Sequence, residues 1–540
     1  MIQVNLEKHN RPFPGKVIQL SLTSVLVIWS FTSCSAQRRN ESPTRPRRAE
    51  VQNPGSSNVI NVRAGEKLQA AIDRAKFGDT IVLQAGATFV GPIMLPYKGP
   101  GTNTDADYIT IRTSNLSGIP AEGVRVRPAQ HAAAMPKIVA PRHSSSIATA
   151  PQAHHYKFIG VEFLPAAEAD YVYHVLWLGS DDYKSLSQFP HHLVFDRVYV
   201  HSTGLGKARR GFALNDGETW ILNSHISGFA GAGDETQGIC GWAGPGPFHI
   251  INNYVEGAGQ NIFFGGGDPS VKDVVPSDIE ILRNHIYKPA EWFGRVTIKA
   301  MFEMKNARRL VVDGNLIESG GRTSAFSLVV ANQGGTAPWS TIEDVEIVNN
   351  IIRHAGTAFN ISGRATSDKP SLQGRRIRIA NNLVLDVGPD YSAFFVQSSG
   401  ADSVTVEHNT VDHTGNLIVT HGEPTTNFVF RNNIVQHNQY GVVCEGGVRV
   451  CFKAGAFKGN VIADNNDSAA SGYPIERNFP PGNYFPPSFK HVKFVNYTRG
   501  DWRLADDSRF KGKATDGKDP GVDFQSFKAS EEALRLGQGR

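Results

Sequence analysis

One short pattern recurs along most of this chain. An asparagine with apolar residues on both sides appears in ILNSHIS (221–227), IINNYVE (250–256), ILRNHIY (281–287), VVDGNLIE (311–318) and IVNNIIRH (347–354). It returns in IANNLVLD (379–386), VEHNTVDH (406–413), FRNNIVQH (430–437) and FKGNVIAD (457–464). Taking Asn223, Asn253, Asn284, Asn315, Asn350, Asn382, Asn409, Asn433 and Asn460 as equivalent, the steps run from 24 to 35 residues. FDRVYVHS (195–202) fits as a further coil upstream. A unit this short cannot bury its apolar face alone, so it must stack on copies of itself. Asparagine suits the turn because it tolerates a left-handed backbone. Stacked amides can also bond to one another along the axis. The expected fold is all-β: a right-handed parallel β-helix, with residues beyond a basic coil extruded as loops.

Length alone would suggest several domains, but a solenoid grows by adding coils. Residues 58–520 are therefore expected to be one β-helix. Its opening, NVRAGEKLQAAIDRAKFGDTIVLQAGATFVG (61–91), reads as a short strand at Asn61-Val62, a helix and a strand at Thr80–Leu83. Leu68, Ala71, Ile72 and Ala75 fall on one helical face. Such a helix would cap the open end of the solenoid, where apolar core and unpaired backbone are exposed. The ladder is lost after residue 464. There YTRGDWRLADDSRFKGKATDGKDPGVDF (497–524) reads as a last strand and a polar segment capping the C-terminal end, with 521–540 as tail.

The formal charge of +5 does not point to an acidic partner. Residues 1–50 hold eight basic and three acidic side chains, so the rest is neutral. Charge gives nucleic-acid binding no support. Lys8, Arg11 and Lys16, the apolar run Val17–Phe31, and the small residues Ser33, Cys34, Ser35 and Ala36 follow the order of an export signal over 1–36. Thr32-Ser33-Cys34 also has the form of a lipoprotein cleavage box, which would make a lipid on Cys34 the one membrane attachment. Residues 37–57, rich in Arg, Pro, Ser and Asn, read as a disordered linker. The expected location is outside the cytoplasm: periplasmic, extracellular or lipid-anchored at the cell surface. Cys444 and Cys451 are spaced to close a small disulfide loop there.

The steps between Asn223 and Asn382 are longer than those after it. The excess lies in loops such as 231–248, 257–278 and 320–340, rich in glycine, tryptophan and charge, where a binding groove would be built. The strings LNDGETWILNSHISG, GWAGPGPFHIINNYVE, GQNIFFGGGDP, VPSDIEILRNHIYKP and FEMKNARRLVVDGNLIE resemble bacterial secreted proteins of the pectate-lyase-like right-handed parallel β-helix superfamily. The general likeness spans about residues 59–520. It implies a protein that cleaves or binds polysaccharide, and it does not choose between these.

β-Elimination from a uronate needs a base, an acid for the leaving oxygen, and positive charge to stabilise the enolate. The cluster best suited is Lys299, Glu303 and Lys305, with Arg322 after the next turn. On a strand, Glu303 and Lys305 can share a face. The order Lys305, Asn315, Arg322 resembles the Lys-then-Arg arrangement of chondroitinase-B and alginate-lyase type β-helix enzymes. It departs from that type in offering only Glu303 as an acid near the lysine. Hydrolysis would need paired carboxylates, for which Asp234-Glu235, Asp216-Glu218 and Asp268 are candidates. Asp234, Glu235 and Asp268 could equally offer oxygen ligands to calcium. Trp242, Trp292 and Trp339, with Asp234 and Glu235, are the expected substrate-binding groups. FFGGGDP (263–269) lacks a P-loop's spacing and reads as a tight corner. His225, His249 and His285, beside ladder turns, read as structural. The expectation is a monomeric polysaccharide lyase acting on an acidic polymer. A non-catalytic carbohydrate-binding solenoid, or a hydrolase or epimerase on the same fold, is the alternative.

Overall fold

The structure, a computed structural model, describes residues 58–388, 393–452, 455–465 and 474–527. The expected export signal, Cys34 and the expected linker lie outside them. The described residues belong to one compact unit. Its strands run through three parallel sheets in turn, so each coil gives one strand to each sheet. Sheet A includes Thr219–Leu222, Phe248–Ile251, Ser277–Leu282 and Ala307–Asp313. Sheet B includes His225–Ser227, Tyr254–Val255, His285–Lys288 and Leu316–Ser319. Sheet C includes Val172–Gly179, Ala208–Asn215, Gln237–Gly241, Gln260–Phe264, Phe302–Met304 and Ser324–Val329. Crossovers between parallel strands take the right hand. The chain is therefore a right-handed parallel β-helix, as the spacing predicts.

Strand register explains the core. In sheet A, Ile221, Ile250, Ile281, Val312, Ile347, Ile379, Val406 and Phe430 pair one coil to the next and point inward. In sheet C, Phe302, Phe326 and Phe359 stack at ring separations of 5.1 and 5.0 Å. Each fully buried side chain of this size contributes roughly 1.5–3 kcal/mol of burial.

The turn from sheet A to sheet B carries the asparagine stack. Asn284 Oδ1 accepts from Asn253 N (2.8 Å) and Asn253 Nδ2 (3.1 Å), and Asn284 passes both bonds on to Asn315 Oδ1. The same pair of bonds runs on through Asn350, Asn382, Asn409, Asn433 and Asn460. Two details differ from the sequence reading. The left-handed position and the ladder position are adjacent, not the same. Arg283 (φ 55°), Asn349 (φ 56°) and His408 (φ 52°) turn the chain, and the residue after each joins the stack. Asn223 is consequently not a ladder residue. It is a turn residue at φ 53°, and Ser224 takes the ladder place by accepting at its Oγ from Val198 N. The stack also outlasts Asn460, reaching Asn483.

The helix Leu68–Arg74 covers the first coils with Leu68, Ala71 and Ile72 buried. Lys98 Nζ donates to its last carbonyls, Ile72 O and Asp73 O, where a cation is favoured. The C-terminal segment does more than close an end. It doubles back along the outside: Val522 N bonds Thr410 Oγ1, and Asp523 N bonds Asn381 Oδ1. Phe489, Trp502, Phe510 and Val522 bury the outward side chains Leu316, Ile351 and Leu383 of sheet B. Cys444 and Cys451 are disulfide-bonded. Among the described residues no helix is long and apolar enough to cross a membrane.

Candidate functional site

The three inter-sheet connections differ in length, and this sets where a site can form. Only Arg283 and Asn284 separate Leu282 of sheet A from His285 of sheet B. The same coil reaches sheet C only at Phe302, after the loop following Lys288. Phe264 of sheet C likewise leads into a long loop before Ser277 of sheet A. Long loops therefore leave both edges of sheet C, and the outer face between them is the candidate trough.

Glu303 lies on that face, with 9% exposure, between the inward Phe302 and Met304. Register places it beside Phe263 on one side and Ser327 on the other. Its carboxylate ends a chain of hydrogen bonds. Arg210 Nε donates to Gln237 Oε1 (2.9 Å), Gln237 Nε2 to Gln260 Oε1 (2.9 Å), and Gln260 Nε2 to Glu303 Oε2 (2.5 Å). A guanidinium can only donate, so every amide in the row has a forced orientation and Glu303 is left to accept. Gln237 and Gln260 are buried at 1% and 0% exposure and serve as support rather than contact. Gln260 Nε2 also reaches Glu235 Oε2 at 3.4 Å, so two carboxylates share one amide.

Lysines flank this pair. Lys305 Nζ is 4.0 Å from Glu303 Oε1, 3.2 Å from Gln333 Oε1 and 5.7 Å above the Phe263 ring. Lys299 Nζ bonds Glu235 Oε1. Against the upward push of burial, this ammonium holds the Glu235 carboxyl below the usual carboxylate range. Asp234, next along, accepts from Tyr171 Oη at 2.5 Å and faces Arg209 at 3.9 Å. Trp242 packs under the Arg210 guanidinium and donates to Asp181 at 3.0 Å. The outer face of sheet C thus brings together Glu303, Lys305, Lys299, Asp234, Glu235 and Trp242 of the residues expected from sequence.

Others are placed elsewhere. Arg322 turns away, with Nη1 on Asp386 O and Nη2 on Asp386 Oδ1, so a Lys305–Arg322 pair does not form. Trp292 is buried with Ala230 and Ala258 under the loop before Phe302. Trp339 packs its loop through a bond to Val274 O. Asp268 accepts from Gly334 N, Thr336 N and Thr336 Oγ1, pinning the 333–336 turn. Among the described residues the carboxylates of Asp234, Glu235 and Asp268 do not gather into one group of metal-ligand spacing: Asp234 meets Tyr171 and Arg209, Glu235 meets Lys299 and Gln260, and Asp268 meets the 334–336 turn. Asp216 is wholly buried, which drives its carboxyl well up, and Glu218 pairs with His192.

Sequence reasoning missed an exposed aromatic wall. Tyr173 (51% exposed) and Trp177 (40% exposed) stand on the strand Val172–Gly179, with His174 packed against Tyr173, Trp177 and Trp242. The register His174–Arg210–Gln237–Gln260 gives one polar residue per coil, a signal hidden by the unequal loops between these strands. The glycine cluster has a steric cause. A Cβ on Gly266 would meet the Phe263 ring at 2.5 Å, and one on Gly267 would meet Trp242 Cδ1 at 2.7 Å. The outer face of sheet A carries a hollow of about 510 Å³ around Arg309, Asp344, Glu346, Arg376 and Arg378. Its arginines are matched by acids, Arg309 with Asp278, Arg376 with Asp344 and Arg378 with Glu407.

Comparison with protein-family models and with curated proteins finds no match. Solved structures that resemble the chain include an alginate lyase from Paenibacillus sp. str. FPU-7. It is 14% identical, with a TM-score of 0.32, over 72% of this chain and 99% of that one. The surface adhesin PfbA of Streptococcus pneumoniae is 9% identical, with a TM-score of 0.37, over 76% and 93%. A PL6 family polysaccharide lyase from Pseudopedobacter saltans is 11% identical, with a TM-score of 0.35, over 86% and 99%. At these values the fold rests on the strand order and the asparagine stack themselves. By those features the chain is a right-handed parallel β-helix.

Proposed function

We propose that this protein cleaves an acidic polysaccharide laid along the sheet C trough, by β-elimination at Glu303 and Lys305. The observation that carries the reading is the Glu303–Lys305 pair on the outer face of sheet C, where Glu303 keeps only 9% exposure and its carboxylate accepts from Gln260. Glu303 would take the proton α to a uronate carboxylate. The electron pair forms the C4–C5 double bond and the C4–O4 bond breaks. Lys305, whose ammonium carries three N–H donors and no acceptor, supplies the proton to the leaving oxygen. Lys299 and Arg209 supply positive charge for the uronate carboxylate and the enolate. Tyr173 and Trp177 offer ring faces for neighbouring sugars.

The neighbouring carboxylates are a poorer fit to hydrolysis. That reaction requires one of a carboxyl pair to hold a proton, whereas Lys299 favours ionised Glu235 and Gln260 donates to both acids. A binding-only role is the second reading, favoured by one observation: Lys299 is already bonded to Glu235. Product analysis separates these. Pectate, alginate and glycosaminoglycans should be incubated with the full chain, and near-ultraviolet absorbance and new reducing ends followed together. Elimination gives both signals from at least one polymer. Reducing ends without absorbance would show hydrolysis, and retained polymer with neither signal would show binding alone.

A further inference from the structure

The dipeptide His-His occurs twice at one place in the fold. His154-His155 and His191-His192 open adjacent strands of sheet A, and His154 pairs with His191 in register. His155 (φ 58°) and His192 (φ 54°) both take a left-handed backbone, which swings each ring back beside its neighbour. Nδ1 of His154 then lies 2.6 Å from Nδ1 of His155, and Nδ1 of His191 lies 2.7 Å from Nδ1 of His192. The two pairs stack: His154 on His191 at 4.8 Å, and His155 on His192 at 4.4 Å.

The far nitrogens show which form these rings take. His154 Nε2 faces Gly99 O at 2.8 Å, and a carbonyl can only accept, so the proton sits on Nε2 and Nδ1 presents a lone pair. His192 Nε2 faces Glu218 Oε2 at 3.3 Å and is oriented in the same way. A ring nitrogen turned inward while its partner donates to a carbonyl or carboxylate is the arrangement of metal-bound histidine. His155 Nε2 is buried and has no hydrogen-bond partner, and Asp107 lies near enough to His155 to act on its charge. Ligand atoms of His154, His155 and His191 all lie within 4.8 Å of one another.

We infer that His154, His155 and His191 form a site for a divalent transition-metal ion of the zinc class, with His192 beside them as the fourth imidazole. The site is separate from the sheet C trough and does not depend on the proposed activity. Imidazole nitrogens suit zinc, nickel or cobalt rather than calcium or magnesium. An ion here would tie together two coils that Phe77, Tyr97 and Tyr108 already cover with their rings.

The test uses the tag-free full chain, stripped with chelator and titrated with ZnCl2 by calorimetry. One zinc per chain is expected, with affinity falling about a hundredfold or more in His155→Asn and His191→Gln. Asparagine keeps the left-handed backbone at 155, and circular dichroism of the metal-free variants checks their fold. X-ray absorption of the zinc-loaded wild type should show imidazole nitrogens at about 2.0–2.1 Å. No stoichiometric zinc, unchanged binding in folded variants, or an oxygen-only shell would each overturn the assignment.

Discussion

Gln260 Nε2 lies 2.5 Å from Glu303 Oε2, and Gln260 Oε1 is held 2.9 Å from Gln237 Nε2. The contact makes a residue with no exposure the positioning group for Glu303, itself only 9% exposed on the outer side of sheet C. Gln260→Leu keeps the volume and removes both bonds. Activity on the responsive polymer should fall about ten- to hundredfold, the range for supporting bonds of this kind. The loss should appear in kcat more than in KM, because Gln260 itself touches no substrate. An equal loss in Gln260→Glu, with polymer binding intact, is expected because an acceptor there cannot orient Glu303. Wild-type kcat in both variants would remove Gln260 from the account.

The asparagine stack makes a contrasting pair of predictions. Asn350 receives from Asn315 N and Nδ2, and donates to Asn382 Oδ1 and Val312 O, all in a buried turn. Asn350→Ala should cost about 3 kcal/mol, since several buried groups lose partners worth roughly 1–3 kcal/mol each. Arg283, one residue before Asn284, is left-handed and exposed. Arg283→Gly relieves about 1 kcal/mol of left-handed strain and gives up a similar amount of chain entropy. Its stability should stay within about 0.5 kcal/mol of wild type. Urea unfolding of the two variants checks both values.

These positions also show what the sequence could reveal. The A-to-B turn is two residues long and its second position is buried, so the chemistry there must repeat, and asparagine is visible in nearly every coil. The one-residue error at Asn223 arose because asparagine serves at both the left-handed and the ladder position, as in Asn252-Asn253 and Asn381-Asn382. Earlier coils carry Val161 and Val198 where the stack would be, and give no such signal. The site was only half legible. Glu303 and Lys305 declare themselves by strand alternation. Arg210, Gln237 and Gln260 do not, because their alignment exists only after loops of unequal length have been removed. The orientation of Arg322 toward Asp386, contributed from two coils further on, follows from packing that no local pattern encodes.

Lys288 is fully buried, with Nζ 2.6 Å from both Gly257 O and Ala258 O. Burial drives its pKa well below the ordinary lysine value of 10.5. Unfolding then takes up a proton at any pH between the folded and unfolded values. Stability must rise with pH over that window and fall as the pH is lowered through it. Lys288→Met removes this slope and strands two carbonyls, at about 1–3 kcal/mol each. Melting temperatures between about pH 7 and pH 10 should rise in the wild type relative to the variant.

Glu318 gives the opposite limb. Burial pushes its carboxyl up, but His285 and Arg353 overcome that and hold it at about 2, against 4.5 for a free glutamate. The folded value is depressed, so the stabilisation is complete above about 4.5 and is lost as pH falls toward about 2. Glu318→Gln should flatten acid unfolding in that window, measured by fluorescence at fixed ionic strength. An acid limb as steep as wild type would show that other carboxylates carry it.

The most direct measurement of the proposed chemistry is the initial rate of near-ultraviolet absorbance on the responsive polymer, for wild type and Glu303→Gln at saturating substrate. Loss of a general base typically costs about 10²–10⁴-fold, so the variant should be slower by that amount while still sedimenting with the polymer. A Glu303→Gln enzyme that releases unsaturated product at the wild-type rate would contradict elimination at the sheet C trough.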